Sequence, residues 1–273
     1  MFSDLLDVKH IDDLVFESTV HKENFRRTVF GGQVLAQALM ACMKTVSDKP
    51  VHSYHAYFLR PGRSDEPIRY HVENLRDGRS ISSRHVVAKQ KNEVIFHLSA
   101  SFHLREEGYT HSESMPSDMP SPESMFSGEL KPTPAPEHGN EASPFTILPI
   151  PNNLFTSNEQ HPPSSKFWAK SAFELPDSPA FHIAALAFAS DLGLLATALL
   201  PHPTHMFAKD VMPASIDHAM WVHSDSFKMT EWLLFSIHSP WAGNARGFSQ
   251  AQIFDRHGNM IANTSQEGLI RPI

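Results

Sequence analysis

Asp191 is the residue whose type and position first suggest chemistry. It stands at the head of an apolar run, Asp191–Leu200, in which leucine and alanine recur at the spacing of one buried helical stripe. An Asp in that position often only caps the helix, because its carboxylate accepts hydrogen bonds from the first N–H groups. A carboxylate can instead take a proton as a general base. The polar groups of residues 215–223 and 265–268 favour this second interpretation.

The other reactive side chains have simpler interpretations. Asp217 and His218 are neighbours in a strand-like stretch, where adjacent residues point to opposite faces, so we do not expect them to form a catalytic pair. We interpret His218 as packed against a helix, like His55. The 18 histidines lack a zinc-binding spacing. Cys42 lies among Leu, Met and Ala, where a thiol behaves as a small hydrophobic group. No Gly-x-Ser-x-Gly motif for a nucleophilic serine is present.

Composition restricts the classes of function. A length of 273 residues suits one large or two ordinary domains. A net charge of −7 without a long basic run argues against nucleic acid as a partner, and the single cysteine excludes an internal disulfide framework. We recognise no signal peptide, no uninterrupted membrane span and no peroxisomal C-terminal tripeptide, since the chain ends Arg271-Pro272-Ile273. We therefore expect a cytoplasmic protein.

The elements that must position these groups form two similar halves. Residues 32–43 have helical spacing and precede strands joined by turn signals, an α+β plan. Among these strands, residues 80–88 and 94–102 are predicted to form a hairpin around Lys91-Asn92-Glu93. In the second half, the helix predicted at Asp191–Leu200 corresponds to that helix, and strands follow it too. The motif His218-Ala219-Met220-Trp221 repeats His55-Ala56-Tyr57-Phe58 at an offset of roughly 163 residues, as expected for an internal duplication. The predicted units are an N-terminal repeat (1–108), a Pro- and Ser-rich linker (109–166) and a C-terminal repeat (167–273).

Short motifs stand in a fixed order in both halves. The first half contains Phe30-Gly31-Gly32-Gln33, residues 51–62 and residues 76–80, and the second contains Ser190-Asp191 and residues 215–223, 245–248 and 266–271. Together they resemble the acyl-CoA thioesterase II (TesB-like) family. The resemblance implies a double hot-dog fold, in which each half wraps an antiparallel sheet around a long helix. It also implies hydrolysis of acyl-CoA to free fatty acid and CoA without a metal or organic cofactor, and a homo-oligomer.

By motif position, the resemblance implies a catalytic trio of Asp191, Ser215 and Gln266. Ser215 stands where many family members have Thr, and either side chain supplies a hydroxyl. In this scheme the carboxylate activates water, while the hydroxyl and the amide orient that water. Four further residues are candidates for substrate binding: the helix start Gly31-Gly32-Gln33 could face the developing oxyanion, and Arg246 could contact a CoA phosphate.

A different class of protein remains as an alternative. A catalytically silent acyl-CoA binder or sensor would keep the apolar cleft and lose the acid. Because Asp191 is present, and because a carboxylate at a cleft is costly unless it is used or paired, the sequence favours the enzyme. We expect the acyl chain to enter an apolar tunnel between helix and sheet.

Overall fold

The first half of the chain surrounds one long buried helix with strands. The computed structural model describes residues 1–21, 28–126, 133–134, 143–150, 155–156 and 158–273. In chain order the elements of this half are α1 (Phe2–Leu6), β1 (Val8–Asp12), β2 (Val15–Ser18), α2 (Gly31–Met43), β3 (Val51–Phe58), β4 (Arg69–Asp77), β5 (Ile81–Gln90) and β6 (Glu93–His103). Buried residues alternate along β5, because one face of the sheet packs against α2 and the other faces outward.

The second half repeats this arrangement with a divided helix. Its elements and those of the connecting segment are α3 (Pro122–Phe126), β7 (Thr133–Pro134), β8 (Phe145–Ile150), β9 (Ser164–Ser171), α4 (Pro179–Ser190), α5 (Leu194–Leu199), β10 (Val211–Ser215), β11 (Asp217–Val222), β12 (Leu233–Gly243), β13 (Arg246–Asp255) and β14 (Met260–Pro272). The chain passes from α4 to α5 through Gly193, whose φ of 83° lies in the left-handed region that glycine tolerates.

All strands of the described residues join one antiparallel sheet. The order is β1-β2-β4-β5-β6-β3-β11-β14-β13-β12-β9-β8-β7, and β10 pairs with β14 beside this path. The two halves meet where β3 pairs with β11, with Tyr57 opposite Asp217 and Ser53 opposite Trp221. β3 and β11 occupy equivalent places in their halves. At this strand pair, the two copies of the repeated unit are therefore related by an approximate twofold axis.

The central helices α2 and α4 pack against each other inside the curved sheet. Every residue of α2 from Gly32 to Cys42 is buried, as expected for a helix covered on all sides. A side chain at Gly32 would place its Cβ 2.4 Å from the carbonyl oxygen of Phe188 in α4. The glycine therefore allows the N-terminal end of α2 to approach the C-terminal end of α4 closely.

Part of the predicted linker covers the outer face of the second half. Met125 lies in an apolar cluster with Leu148, Trp168, Trp232, Leu234 and Phe254, and the indole N–H of Trp168 donates to the carbonyl of Pro120 at 3.0 Å. Residues 145–150, also within 109–166, form β8 and pair with β9. These parts of the segment belong to the folded body.

The structure corrects the predicted helix Asp191–Leu200. Asp191 follows the last residue of α4 and is its C-cap residue, so it does not begin a helix, and α5 starts only at Leu194. The counterpart of α2 is α4, which packs against it, and the predicted correspondence with Asp191–Leu200 was wrong. The helix predicted at 32–43 and the hairpin at Lys91, by contrast, are confirmed. His55, predicted to pack against a helix, is exposed instead and its ring lies beside Trp221 on the outer face.

Candidate active site

The carboxylate of Asp191 lies where the two halves of the chain meet. The backbone N–H of Gly32, in the first turn of α2, donates a hydrogen bond to it. A side chain at Gly31 would bring its Cβ within 2.9 Å of Asp191 Oδ2. The interpretation that Asp191 caps the start of its own helix was wrong, because the helix N-terminus that its carboxylate accepts from is that of α2, in the other repeat. The positive N-terminal end of α2 stabilises its negative charge.

Two further polar side chains converge on this carboxylate. Ser215, at the end of β10, donates from Oγ to Asp191 Oδ1 in a long hydrogen bond of 3.4 Å. Gln266, within β14, donates from its amide Nε2 to Ser215 Oγ at 2.9 Å and also hydrogen-bonds the Asp191 carboxylate. Pairing of β10 with β14 sets Ser215 opposite Gly268, which brings the hydroxyl and the amide to the same place. The structure thus brings together the three residues implied as a catalytic trio.

Removal from water dominates the acidity of Asp191. Burial raises the pKa of its carboxyl from the ordinary 3.8 to about 7, although the hydrogen bonds from Gln266, Gly32 and Ser215 each act to lower it. A carboxyl group with this pKa holds a proton strongly enough to be an effective acceptor near neutral pH. Perturbation of this size by burial at a cavity is typical of functional sites.

An apolar cavity of about 610 Å³ opens beside these groups. Asp191, Ser215 and Gln266 form one part of its wall, and aromatic and aliphatic side chains of both repeats form much of the rest: Phe30, Val34, Phe58, Phe96, Phe167, Leu192, Leu195 and Met212. A largely apolar cavity of this size with a few convergent polar groups is suited to a small molecule with a hydrocarbon part.

The four candidate substrate-binding residues are not all at this cavity. Gly31 lines it, whereas Gly32, Gln33 and Arg246 are absent from the lining formed by the described residues. The side chain of Gln33 is fully buried and donates to the carbonyl oxygen of Val20 at 2.7 Å. Its amide therefore holds the N-terminal segment of the chain against α2.

Arg246 lies near the cavity on the outer part of β13. Its guanidinium donates to Glu267 Oε2 at 3.3 Å and lies 5.7 Å from the centre of the Trp241 ring. It stands opposite Leu269, which lines the cavity. These contacts hold the side chain in place and leave its contact with a CoA phosphate a prediction.

His218 makes a contact that the sequence did not reveal. The side chain is buried, as predicted, but its Nδ1 also lies 2.6 Å from Oε1 of Gln266. The alternation of buried residues along β11 indicates only that His218 faces the core with Met220 and Val222. Its partner is set by the pairing of β11 with β14, which no local pattern encodes.

Two other properties bear on the class of protein. Among the residues that the structure describes, no group of three or more His, Cys, Asp or Glu side chains could hold a metal ion. The segment Pro179–Leu199 is long and apolar enough to span a membrane, but 83% of its most apolar window is buried in the protein, as in the central helix of a folded core. Burial raises the pKa of the Cys42 thiol to about 12, which suits its predicted role as a packing residue.

Two helices, each wrapped by half of a continuous antiparallel sheet and sharing one acid-bearing cavity, define the class of double hot-dog proteins. Comparisons with known proteins agree. The acyl-CoA thioesterase N-terminal domain matches residues 21–103, and the acyl-CoA thioesterase C-terminal domain matches residues 117–270. The structure of an acyl-CoA thioesterase II, TesB2, from Mycobacterium marinum superposes with a TM-score of 0.83 at 34% identity, covering 100% of this chain and 99% of that one.

Relatives of known name extend this agreement along the whole chain. The protein is 39% identical to acyl-CoA thioesterase 2 of Haemophilus influenzae, over 98% of this chain and 96% of that protein. It is 32% identical to acyl-coenzyme A thioesterase 8 of Mus musculus, over 99% of this chain and 89% of that protein. The chain belongs to the acyl-CoA thioesterase II family. It is an enzyme that hydrolyses acyl-CoA thioesters, and the predicted family and double hot-dog fold are confirmed.

Proposed function

We propose that Asp191 is the general base of this thioesterase and that Ser215 and Gln266 hold the attacking water beside it. The observation that carries the proposal is the convergence of a hydroxyl, an amide and a backbone N–H on one carboxylate removed from bulk water. Around it the cavity wall is largely apolar. A polar cluster of this kind in an apolar wall is costly unless its groups are paired or used.

In the proposed reaction, a water molecule attacks the thioester carbonyl carbon as its proton passes to the Asp191 carboxylate. The carbon–sulfur bond breaks, CoA leaves as its thiolate, and the proton held by Asp191 returns to the sulfur. The products are a carboxylic acid and CoA. Ser215 and Gln266 reduce the entropy cost of the attack because they fix the position of the water before the reaction begins.

We propose that Gly31 supports the carbonyl oxygen of the substrate. Gly31 is the first residue of α2 and lines the cavity. An N–H in the first turn of a helix has no partner within the helix. This N–H and the positive helix end can stabilise the negative charge that develops on the carbonyl oxygen. Glycine at this position also leaves room for Asp191 Oδ2, which a side chain would crowd.

The hydrocarbon chain of the substrate occupies the apolar part of the cavity in this proposal, and the CoA portion extends outward. Phe58 and Phe96 of the first repeat and Phe167 of the second contribute to the wall. Both repeats would thus contact the acyl chain. The proposed chemistry uses protein groups and water alone, so neither a metal nor an organic cofactor enters it.

Release of thiol from a panel of acyl-CoA esters, from acetyl to palmitoyl, tests this function. Asp191→Asn should lower turnover by roughly 10²- to 10⁴-fold, the usual contribution of a general base. The matched control is Asp217→Asn, the same change at the start of β11, where the carboxylate accepts a structural hydrogen bond from the N–H of Glu267 at 2.7 Å. The control should keep most activity. Full turnover in Asp191→Asn, or equal losses in both variants, would exclude Asp191 as the base.

A further inference from the structure

The imidazole of His218 connects the proposed water-binding amide to buried hydroxyls. It is 1% exposed and its ring stacks on that of Tyr54 with centroids 6.0 Å apart. Nδ1 lies 2.6 Å from Gln266 Oε1. On the other side of the ring, Nε2 lies 2.9 Å from Thr264 Oγ1 and 3.0 Å from Ser190 Oγ. Both nitrogens therefore have partners, and neither the ring nor its hydroxyl partners line the cavity.

The orientation of the Gln266 amide matters because its two ends have opposite character. An ionised carboxylate only accepts hydrogen bonds, so Asp191 requires the amide N–H end. The reversed orientation would set the carbonyl oxygen of Gln266 against the negative charge of Asp191 and against the lone pairs of Ser215. Rotating the amide by half a turn moves the heavy atoms little, so the hydrogen bond at its far end acts together with the Asp191 contact in selecting the orientation.

The protonation of His218 supplies that selection. Burial lowers the pKa of the imidazole to about 4, so the ring is neutral at pH 7 and carries one N–H. Gln266 Oε1 only accepts hydrogen bonds, and Nδ1 must therefore carry the hydrogen. Nε2 is left as an acceptor for one hydroxyl hydrogen, from Ser190 Oγ at 3.0 Å or Thr264 Oγ1 at 2.9 Å. Each of these hydroxyls also lies within hydrogen-bond distance of a backbone carbonyl oxygen, Ala187 at 2.9 Å and Ala219 at 2.7 Å, so in this tautomer one of them turns from its carbonyl toward the ring.

We propose that His218 is a positioning residue, which in its Nδ1–H form holds the Gln266 amide with both N–H groups toward Ser215 and Asp191. This inference rests on the proposed function. The hydrogen bonds then run in one direction, from a buried hydroxyl through His218 and Gln266 to the carboxylate. Ser190, one of the two hydroxyl residues at the start, and Asp191, the acceptor at the end, are adjacent in sequence. The end of α4 thus anchors both ends of the network.

Because His218 lies behind the cavity wall, its loss should change kcat and leave KM nearly unchanged. In the proposed reaction the attacking water contacts the amide and the carboxylate, and neither side chain is removed when His218 is replaced. A variant that no longer orients the amide keeps the apolar cavity and binds the acyl chain as before. The productive fraction of enzyme with bound substrate falls, which lowers kcat.

Two replacements of His218 with the same amide group test the direction of the hydrogen bond. The amide nitrogen of an Asn side chain reaches the position of Nδ1, whereas that of Gln reaches the position of Nε2. His218→Asn should keep kcat within about threefold, while His218→Gln should lower it at least about tenfold with KM changed less than about twofold. Equal kcat in the two folded variants, or a loss confined to KM, would overturn the inference.

Nitrogen-15 NMR of the unaltered protein tests the same inference without depending on a variant that folds. The His218 signals, assigned by their loss in His218→Asn, should show a protonated Nδ1 and an unprotonated Nε2 at pH 7. The opposite tautomer, or a doubly protonated ring, would contradict the proposal.

A double-mutant cycle separates this inference from the proposed function. If His218 acts only through Gln266, then His218→Gln should cause no further loss of kcat in a Gln266→Ala background. Multiplicative losses would overturn the positioning role while leaving Gln266 in place as a water ligand. Wild-type kcat in Gln266→Ala alone would instead contradict the proposed function of Gln266, and with it the role of His218.

Discussion

Replacing Asp191 with Asn removes the charge of the proposed base and nearly preserves the size of its side chain. The replacement should therefore separate two consequences of burying a carboxylate at the cavity. Turnover is lost because Asn does not accept the proton of water. Stability toward unfolding, however, improves at neutral and alkaline pH because no negative charge remains to be held in a poorly solvated place.

The magnitude follows from the acidity of the group. Each unit of pKa shift corresponds to about 1.4 kcal/mol, so a rise from 3.8 to about 7 makes ionisation of Asp191 less favourable in the folded state by up to about 4 kcal/mol. Since the folded pKa lies above the unfolded value, the folded state binds the extra proton between the two. The associated stability is fully present below about pH 4 and is lost as the pH rises to about 7.

Urea unfolding of the wild type and of Asp191→Asn across pH 4 to 9 measures this difference. The free energy of unfolding of the variant relative to the wild type should increase by up to about 4 kcal/mol between pH 4 and pH 7, then level off. In parallel, kcat/KM of the wild type should rise with pH through about 7, because the ionised carboxylate is the active form. Parallel pH dependences of stability in the two proteins would refute the assigned burial and acidity of Asp191.

Three further outcomes follow from the same site. Ser215→Thr should keep activity because a hydroxyl remains in place, whereas Ser215→Ala should lower kcat roughly tenfold to a hundredfold because the water is no longer held in position. Thiol-release kinetics compare the two variants, and full activity in Ser215→Ala would exclude the hydroxyl from the mechanism. Gly32→Ala should destabilise the protein by roughly 1–3 kcal/mol, because the new Cβ would lie 2.4 Å from the Phe188 carbonyl oxygen. Gly108→Ala, whose Cβ would have nothing within 4 Å, is the control in thermal unfolding. Equal stability of the Gly32→Ala and Gly108→Ala variants would contradict the close packing of α2 against α4. Exhaustive treatment with EDTA should leave turnover unchanged, and loss of activity restored by one divalent metal would contradict a reaction carried by side chains and water.

The repeated architecture could be predicted from the sequence because local patterns encode it. The helix at 32–43 and the hairpin at Lys91 depend on spacing and turn residues within short windows. Ser215 and Gln266 could be predicted as site residues because each stands within a motif of several residues. The first strands, β1 and β2, escaped prediction since they are short and largely polar, with four of the five residues of β1 exposed.

The position of Asp191 in the fold could not be derived in the same way. Residues 179–200 form one nearly continuous apolar stretch, and in a helix buried on all sides hydrophobic periodicity is weak. The break at Gly193 is marked by a single glycine, and periodicity alone does not show on which side of it the long helix lies. The contact of Asp191 with Gly32 and that of His218 with Gln266 join residues far apart in sequence, so they follow from the packing of the repeats.

The contact between Asp191 and the first turn of α2 has a consequence for how the two repeats can change. In a pair of identical chains, every copy would need both the acid and the glycine-rich turn that receives it, and each substitution would appear twice. A single chain with two repeats is free of that constraint. Its first repeat supplies the glycine-rich turn and its second supplies the acid, and the two meet at one place between the repeats. In the proposed reaction neither repeat alone contains a complete reaction centre, and the minimal catalytic unit is the pair of repeats in one chain.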